Sequence, residues 1–233
     1  MISRLVTNGC SYMAYHHKGG GTEDLAEKLK IENFDSLAKN SACNSRILRT
    51  TLRDLYSTNQ PTFYVVGITF VHRYELTVLN TPDFDGRWQS FNGINSCITD
   101  NFHDQVTLKD LENFSRSWNN IIYDVELFED LVFRLLSLID AAQNLGHRVL
   151  VFNTAEHLVD YFVDDKKFDI LDSRKQFVHK LKWKSIPWQF AQGAQWPAED
   201  QQYTENCRHV QPGDHKWLNE YLCNYIDEYK ILE

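Results

Sequence analysis

The chain has 233 residues, of which 42% are hydrophobic and 13% aromatic, and this length and composition indicate one sizeable globular domain and exclude a disordered chain. The formal net charge of −8 at pH 7 argues against nucleic acid as a partner, because binding to phosphates requires a surplus of Lys and Arg. No apolar run reaches the roughly 18 residues of a membrane span, and the N-terminal residues lack the pattern of a signal peptide.

The first half of the chain alternates predicted strands with predicted helices. Strands are expected at 2–7, 33–39 and 62–69. The last of these is nearly continuous in apolar and β-branched residues, as in a central parallel strand. Helices are expected at 21–30 and 43–57, where apolar residues recur at helical spacing.

The second half opens with a polar segment at about 78–106, rich in Asn, Asp, Gly and Pro, which we expect to be a long surface excursion. Residues 107–144 have a strongly helical pattern, and Gly146 is a natural stop for it. Another buried strand is expected at 148–153, and an amphipathic helix at 214–229 closes the chain.

This alternation predicts an α/β fold, since a parallel sheet needs helical connections that cover its faces. We expect a three-layer α/β/α sandwich with a central parallel sheet of about five strands and flavodoxin-like topology, formed as a single domain by residues 1–233. In such sheets ligands bind outside the carboxyl ends of the strands. The residues that follow each strand are therefore the first place to look for a site.

A serine and a histidine stand where a nucleophile and its base are expected. In Asn8-Gly9-Cys10-Ser11 the glycine permits a sharp turn, which would hold the Ser11 hydroxyl at the carboxyl end of the first strand. His209 precedes the closing helix, from where it can reach the same edge and accept the serine proton. The alternative is a turn serine that caps a helix and one surface histidine among nine.

Further polar residues follow the central strand. Thr69 is expected at its carboxyl end, where its hydroxyl can donate to an oxyanion. Arg73 lies just beyond and either binds substrate or pairs with Glu75 on the rim of the site.

The order of these segments resembles the SGNH (GDSL-like) hydrolases, whose lipase and esterase members carry Gly-Asp-Ser after the first strand. Gly9-Cys10-Ser11 matches that motif with a cysteine in the middle position, and Ser11 takes the place of the nucleophile. The last family block is Asp-x-x-His, often followed by a second histidine six positions later. His209 and His215 keep that spacing, and Asn206 stands in the place of the aspartate.

The two middle blocks of the family supply the oxyanion hole. The stretch 38–45 corresponds to the second block but has no glycine, and Ser41 is its best match to the donor position. Gly67-Ile68-Thr69 matches the third block, Gly-x-Asn, with Thr69 in place of the asparagine. The resemblance implies that Ser41 and Thr69 hold the oxyanion together with the backbone N–H of Ser11. Asn44, in the same stretch as Ser41, and Arg73, beyond the central strand, are the further candidates for binding the substrate.

The third member of the catalytic group stays open. The side-chain oxygen of Asn206 can orient the histidine ring, as asparagine does in cysteine-protease triads, but it carries no charge. A Ser-His dyad supported by a backbone carbonyl, or a carboxylate from Glu205 or Asp200, are the other possibilities.

The five cysteines are widely spaced and form no C-x-x-C pair, so neither a disulfide framework nor a zinc knuckle is indicated. Cys207, His209 and His215 lack the paired spacing of zinc ligands, so we expect no metal and no cofactor. The cysteine pattern and the absence of a signal peptide predict a cytoplasmic location.

The resemblance implies hydrolysis of a small-molecule ester, for instance an acyl or acetyl group on a carbohydrate or another small polar compound. The alternative is a catalytically inactive SGNH-like module that binds a ligand or serves a structural role in an assembly, because the second, third and fourth blocks lack the family's glycine, asparagine and aspartate. Neither nucleic acid nor a membrane is an expected partner, and the oligomeric state stays open.

Overall fold

The computed structural model of the protein describes residues 2–10, 13–14, 22–39, 42–69, 73–77, 88–92, 113, 117, 124–153 and 212–233. In chain order the helices and strands are β1 (Arg4–Asn8), α1 (Glu23–Leu29), β2 (Asn33–Ser36), α2 (Asn44–Ser57), β3 (Thr62–Ile68), β4 (Arg73–Thr77), β5 (Trp88–Asn92), α3 (Asp124–Asn144), β6 (Arg148–Asn153) and α4 (Pro212–Glu228). The expected α/β class is confirmed.

Four of these strands form a parallel sheet in the order β2-β1-β3-β6. The strand β1 pairs with β2 on one side and with β3 on the other. The chain therefore moves outward from β1 to β2 and then crosses back to β3. This reversal between β1 and β3 is the topological switch point, where α/β sheets bind their ligands.

The strands β1, β3 and β6 are buried on both faces, whereas the edge strand β2 is mostly exposed. Successive side chains of a strand point to opposite sides of the sheet, so each buried strand contributes to two apolar clusters. One apolar cluster joins residues of α2 and α3 to the strand residues Val6, Tyr64, Val66, Val149 and Val151. The other joins residues of α1 and α4 to Leu5, Phe63, Val65, Leu150 and Phe152. All seven residues of β3 are buried, which explains why its sequence is almost continuously apolar.

The ends of two helices follow from single residues. Gly146 adopts a φ of +75° directly after α3, and the N–H of His147 then donates to the carbonyl of Ala142 at 2.9 Å, so the predicted stop is confirmed. The closing helix begins at Pro212, two residues before the predicted start at 214. Proline suits a first helical position, because its missing N–H would have no partner there.

An antiparallel pair of strands was not predicted. Residues of β4 pair with residues of β5, and β5 lies within the segment 78–106 that we expected to be a surface excursion. Three of the five residues of β5 are polar, so its sequence has the composition of a loop. None of the described helices combines the length and the apolar content that a membrane span requires.

A network of charged and polar groups lies toward the amino-terminal ends of the parallel strands. The guanidinium of Arg4 donates from Nη1 and Nη2 to the two carboxylate oxygens of Asp54, at 2.8 and 2.9 Å, and from Nε to Asp35 at 2.7 Å. The hydroxyl of Tyr64 donates to the same Asp54 carboxylate at 2.8 Å. Burial and this hydrogen bond raise the pKa of Tyr64. The network ties β1, β2, α2 and β3 together.

His147 completes this end of the core. Its Nδ1 accepts the backbone N–H of Thr62 at 3.2 Å, and its ring meets the ring of Tyr64 edge to face at 5.8 Å between centroids. Only 4% of the residue is exposed. Burial lowers the pKa of His147, against the opposing effect of the Asp54 charge. The folded protein therefore holds this histidine neutral, with Nδ1 unprotonated.

Lowering the pH from about 7 to about 5 is expected to reduce the free energy of unfolding through His147. Since burial lowers the pKa of the folded group, the unfolded chain binds a proton at a pH where the folded chain does not. The stabilisation is complete above the unfolded pKa of about 6.5 and is lost as the pH falls below it, with a slope of at most about 1.4 kcal/mol per pH unit. Urea unfolding at a series of pH values measures this loss of free energy of unfolding.

The matched control for this prediction is His147→Asn, which keeps an acceptor close to the position of Nδ1 but does not titrate. All other titrating groups, including those of Asp54 and Arg4, are common to both proteins. The wild type should therefore lose more stability than the variant as the pH falls. Equal pH dependence of the two proteins would contradict the assignment.

Candidate active site at the switch point

The end of β1 is fixed by the side chain of Asn8, which is fully buried. Its amide Nδ2 shares its two hydrogens among the carbonyl of Ile47 at 2.9 Å and the hydroxyls of Thr50 and Thr51, both at 2.8 Å. Its Oδ1 accepts the N–H of Gly9 at 2.8 Å. Because all of these groups are inside the protein, the last residue of the strand is held in one position against α2.

Gly9 lies where β1 and β3 approach each other most closely at this edge. A Cβ on Gly9 would lie 2.5 Å from Cγ and 2.9 Å from Cβ of Met13, and 3.0 Å from the carbonyl oxygen of Gly67. Two of these distances are to a side chain and one is to the backbone of the neighbouring strand. The glycine is therefore required for the close approach and not for a positive φ, which among the described glycines only Gly146 adopts.

A turn of helical type follows Gly9. The carbonyl of Cys10 accepts the N–H of Met13 at 2.9 Å and that of Ala14 at 3.1 Å. Cys10 itself is buried in the cluster that contains α2 and α3. Ser11, the predicted nucleophile, follows Cys10 in sequence and lies outside the described residues.

The stretch that matches the second family block runs alongside the end of β1. Beyond β2, the N–H of Leu37 donates to the carbonyl of Thr7 at 2.8 Å, and the N–H of Lys39 donates to that of Gly9 at 3.1 Å. The N–H of Ala42 then donates to the carbonyl of Lys39 at 3.1 Å, which closes a turn. The segment is thus held against the strand that leads to Ser11. Ser41 lies outside the described residues.

The side chain of Asn44 makes two hydrogen bonds to the backbone of Thr69, of the kind that a neighbouring strand would make. The Oδ1 of Asn44 accepts the backbone N–H of Thr69 at 2.7 Å, and its Nδ2 donates to the backbone carbonyl of Thr69 at 2.8 Å. Asn44 is the first residue of α2, and Thr69 directly follows β3. The carboxamide therefore fixes the backbone of Thr69 in both directions. Its predicted contact with substrate stays a prediction.

Arg73 is connected to the same residue. Its Nη1 donates to the hydroxyl oxygen of Thr69 at 3.1 Å and lies 3.5 Å from the carbonyl oxygen of Ala42. Arg73 is half-buried and is the first residue of β4, so the antiparallel pair of strands starts close to the carboxyl end of β3. The suggested partner Glu75 is the third residue of β4, and its side chain lies outside the described part of the chain.

The structure thus brings three of the predicted site residues together, namely Asn44, Thr69 and Arg73. The remaining candidates lie outside the described residues: Ser11, Ser41, Asp200, Glu205, Asn206, Cys207 and His209. His215 belongs to the first turn of α4, but its side chain is not described. Within the described part of the chain, no group of three or more His, Cys, Asp or Glu side chains is arranged to hold a metal ion.

Two structural roles at this edge have little signal in the sequence. Asn8 was predicted only as part of a turn, although an amide that ends an otherwise apolar strand needs buried partners. The adjacent pair Thr50 and Thr51 supplies two of them. The bonds from Asn44 to Thr69 join residues 25 positions apart, and no local pattern predicts them.

Comparison with known proteins adds no assignment. No protein-family model, curated protein or solved structure matches the chain. The likeness to SGNH hydrolases stays a resemblance, carried by the motif residues named above.

Replacing Gly9 by alanine is expected to lower the free energy of unfolding by about 1–3 kcal/mol, because the added Cβ must displace Met13 or separate β1 from the Gly67 carbonyl. Urea denaturation of the wild type and Gly9→Ala measures the change.

The matched control is Gly146→Asn, at a glycine where an added Cβ meets nothing within 4 Å. Asparagine tolerates the positive φ of that position, so the loss should stay below about 1 kcal/mol. Equal stability of Gly9→Ala and the wild type would show that β1 and β3 do not approach as described.

Proposed function

We propose that the protein is a serine ester hydrolase of the SGNH type, with Ser11 as nucleophile and His209 as general base. The proposal rests on the resemblance of four sequence blocks and on one structural observation. Gly9 at the end of β1 and Thr69 at the end of β3 flank the switch point of the sheet. The second-block stretch is bonded to both of these ends, through Lys39 to Gly9 and through Asn44 to Thr69.

This convergence supports a hydrolase because acyl transfer needs several groups around one carbonyl. A nucleophile has to lie close to a base and to hydrogen-bond donors for the developing oxyanion. Residues that are far apart in the sequence meet here at the edge where α/β sheets bind ligands. An ordinary turn serine would not require the neighbouring strand ends to be joined in this way.

The proposed mechanism has two stages. Ser11 Oγ attacks the ester carbonyl while His209 accepts its proton, and collapse of the tetrahedral intermediate expels the alcohol, which takes that proton from His209. Water then attacks the acyl-enzyme with His209 again as base, and this releases the acid and regenerates Ser11. The backbone N–H groups of Ser11 and Ser41, with the hydroxyl of Thr69, hold the oxyanion, and Asn206 orients the histidine ring.

The finer features of the fold belong to the same proposal. Two apolar clusters, one with α2 and α3 and the other with α1 and α4, are the arrangement expected of a three-layer α/β/α sandwich. A fifth parallel strand next to β6 would complete the SGNH-type sheet. The substrate class is a small polar ester, and Cys10, Cys43 and Cys223 keep their thiols and form no disulfide, which suits a reducing, cytoplasmic compartment.

Reaction with a fluorophosphonate probe tests the proposal. The wild type should be labelled, with the adduct on the peptide that contains Ser11, because the probe reports an activated serine. Ser11→Ala and His209→Ala should reduce the labelling rate by at least roughly 10³-fold. In-gel fluorescence over time and mass spectrometry of the labelled peptide give the rate and the position.

The matched control is Ser57→Ala. Ser57 lies at the exposed end of α2, where its hydroxyl donates to the carbonyl of Arg53, so this variant should label at the wild-type rate. A folded wild type that stays unlabelled while a known serine hydrolase reacts under the same conditions would overturn the proposal. The inactive, ligand-binding SGNH-like module would then be the better account.

A further inference from the structure

The hydroxyl group is the only hydrogen-bond donor of Thr69 that is left for a ligand. Its backbone N–H donates to Oδ1 of Asn44 at 2.7 Å, and its backbone carbonyl accepts from Nδ2 of the same side chain at 2.8 Å. Both peptide groups are thus already used within the protein. Asn44 is 7% exposed and Thr69 is fully buried, so these two bonds are protected from competing water.

The hydroxyl of Thr69 is oriented by Arg73. A threonine hydroxyl has one hydrogen to donate and lone pairs that accept. The oxygen accepts Nη1–H of Arg73 at 3.1 Å. A guanidinium has no acceptor, so it cannot receive the hydroxyl hydrogen, which must point elsewhere. Within the described residues the structure records no acceptor for this hydrogen.

We propose that Arg73 is a positioning residue that acts through Thr69, turning the Thr69 hydroxyl into an oriented and polarised donor for the oxyanion. Asn44 is the second positioning residue, because it fixes the backbone on which that hydroxyl is carried. This inference rests on the proposed esterase function. It differs from the sequence-based expectation, in which Arg73 and Asn44 contact the substrate themselves.

Cooperative hydrogen bonding gives the physical reason. A hydroxyl whose oxygen accepts from a cation becomes a stronger donor, because the positive charge draws electron density from its O–H bond. The hydrogen bond from this hydroxyl is stronger in the transition state than in the bound substrate, because the substrate oxygen becomes negative there. A threonine supported in this way supplies directed donation, which an isolated and freely rotating hydroxyl does not.

A double-mutant cycle tests the inference with full-length protein and p-nitrophenyl acetate as the probe substrate. Thr69→Val removes the hydroxyl with little change in shape and should lower kcat by about 10²-fold, as loss of one oxyanion donor does. Arg73→Gln should lower kcat by about 10-fold with little change in KM, since a positioning effect is expressed in the transition state. The double variant should match Thr69→Val within about twofold, because Arg73 then has nothing to act through.

Conservative variants keep the cycle decisive if a variant is unstable. Thr69→Ser restores the hydroxyl and should regain most of the activity. Arg73→Met, which removes the charged donor and keeps a long side chain, replaces Arg73→Gln in the cycle if the latter fails to fold, as judged by thermal unfolding. The cycle is then expected to show the same lack of additivity.

Two results overturn the inference, and they differ from failure of the proposed function. Additive effects, with the double variant slower than Thr69→Val by the full Arg73 factor, would show that Arg73 acts independently of the hydroxyl. A rise in KM at constant kcat for Arg73→Gln would show that Arg73 binds the substrate itself. An inactive wild type that also resists the fluorophosphonate probe overturns the esterase function, and this inference with it.

Discussion

The close approach of Gly9 to the carbonyl oxygen of Gly67 is the constraint on which this edge of the molecule depends. A Cβ at Gly9 would lie 3.0 Å from that oxygen and 2.5 Å from Cγ of Met13. Only glycine therefore lets the chain leave β1 directly beside β3 and enter the turn at Cys10. The preceding residue, Asn8, holds the strand end against α2 through its buried carboxamide. Together they place Gly9 beside Gly67, across the switch point of the sheet.

The two ends of the parallel sheet use polar groups differently. At the amino-terminal end, Asp54 accepts from both Arg4 and Tyr64, so the charges there are paired within the fold. Removing one partner would leave a charge with reduced compensation, and this network therefore serves stability. At the carboxyl end, Asn44 and Arg73 converge on Thr69, and no acceptor for the hydroxyl hydrogen of Thr69 is recorded among the described residues. An arrangement that holds a donor without using it within the described chain is the kind expected of a site.

The sequence predicted those elements whose burial gives a local pattern. The strand β3 and residues 149–152 of β6 are buried and almost continuously apolar, and Gly146 marks the end of α3 through its positive φ. The hairpin of β4 and β5 was missed, because a mostly polar strand resembles a loop. The long-range polar contacts could not be predicted either, because the bonds of Asn44 to Thr69 in the site and of Arg4 to Asp54 at the other end of the sheet join residues far apart in the sequence. The sequence pointed to Thr69 and Arg73 as candidates, but it could not show that one orients the other.

The central claim is that the chemistry gathers at the switch point between β1 and β3. A crystal structure of the protein after reaction with a fluorophosphonate tests it most directly, since the phosphonyl group resembles the tetrahedral intermediate. The account predicts phosphorus on Oγ of Ser11, with the phosphonyl oxygen within about 3 Å of the Thr69 hydroxyl and a ring nitrogen of His209 beside the serine oxygen. Phosphorus on another residue, or a phosphonyl oxygen directed away from Thr69, would contradict it.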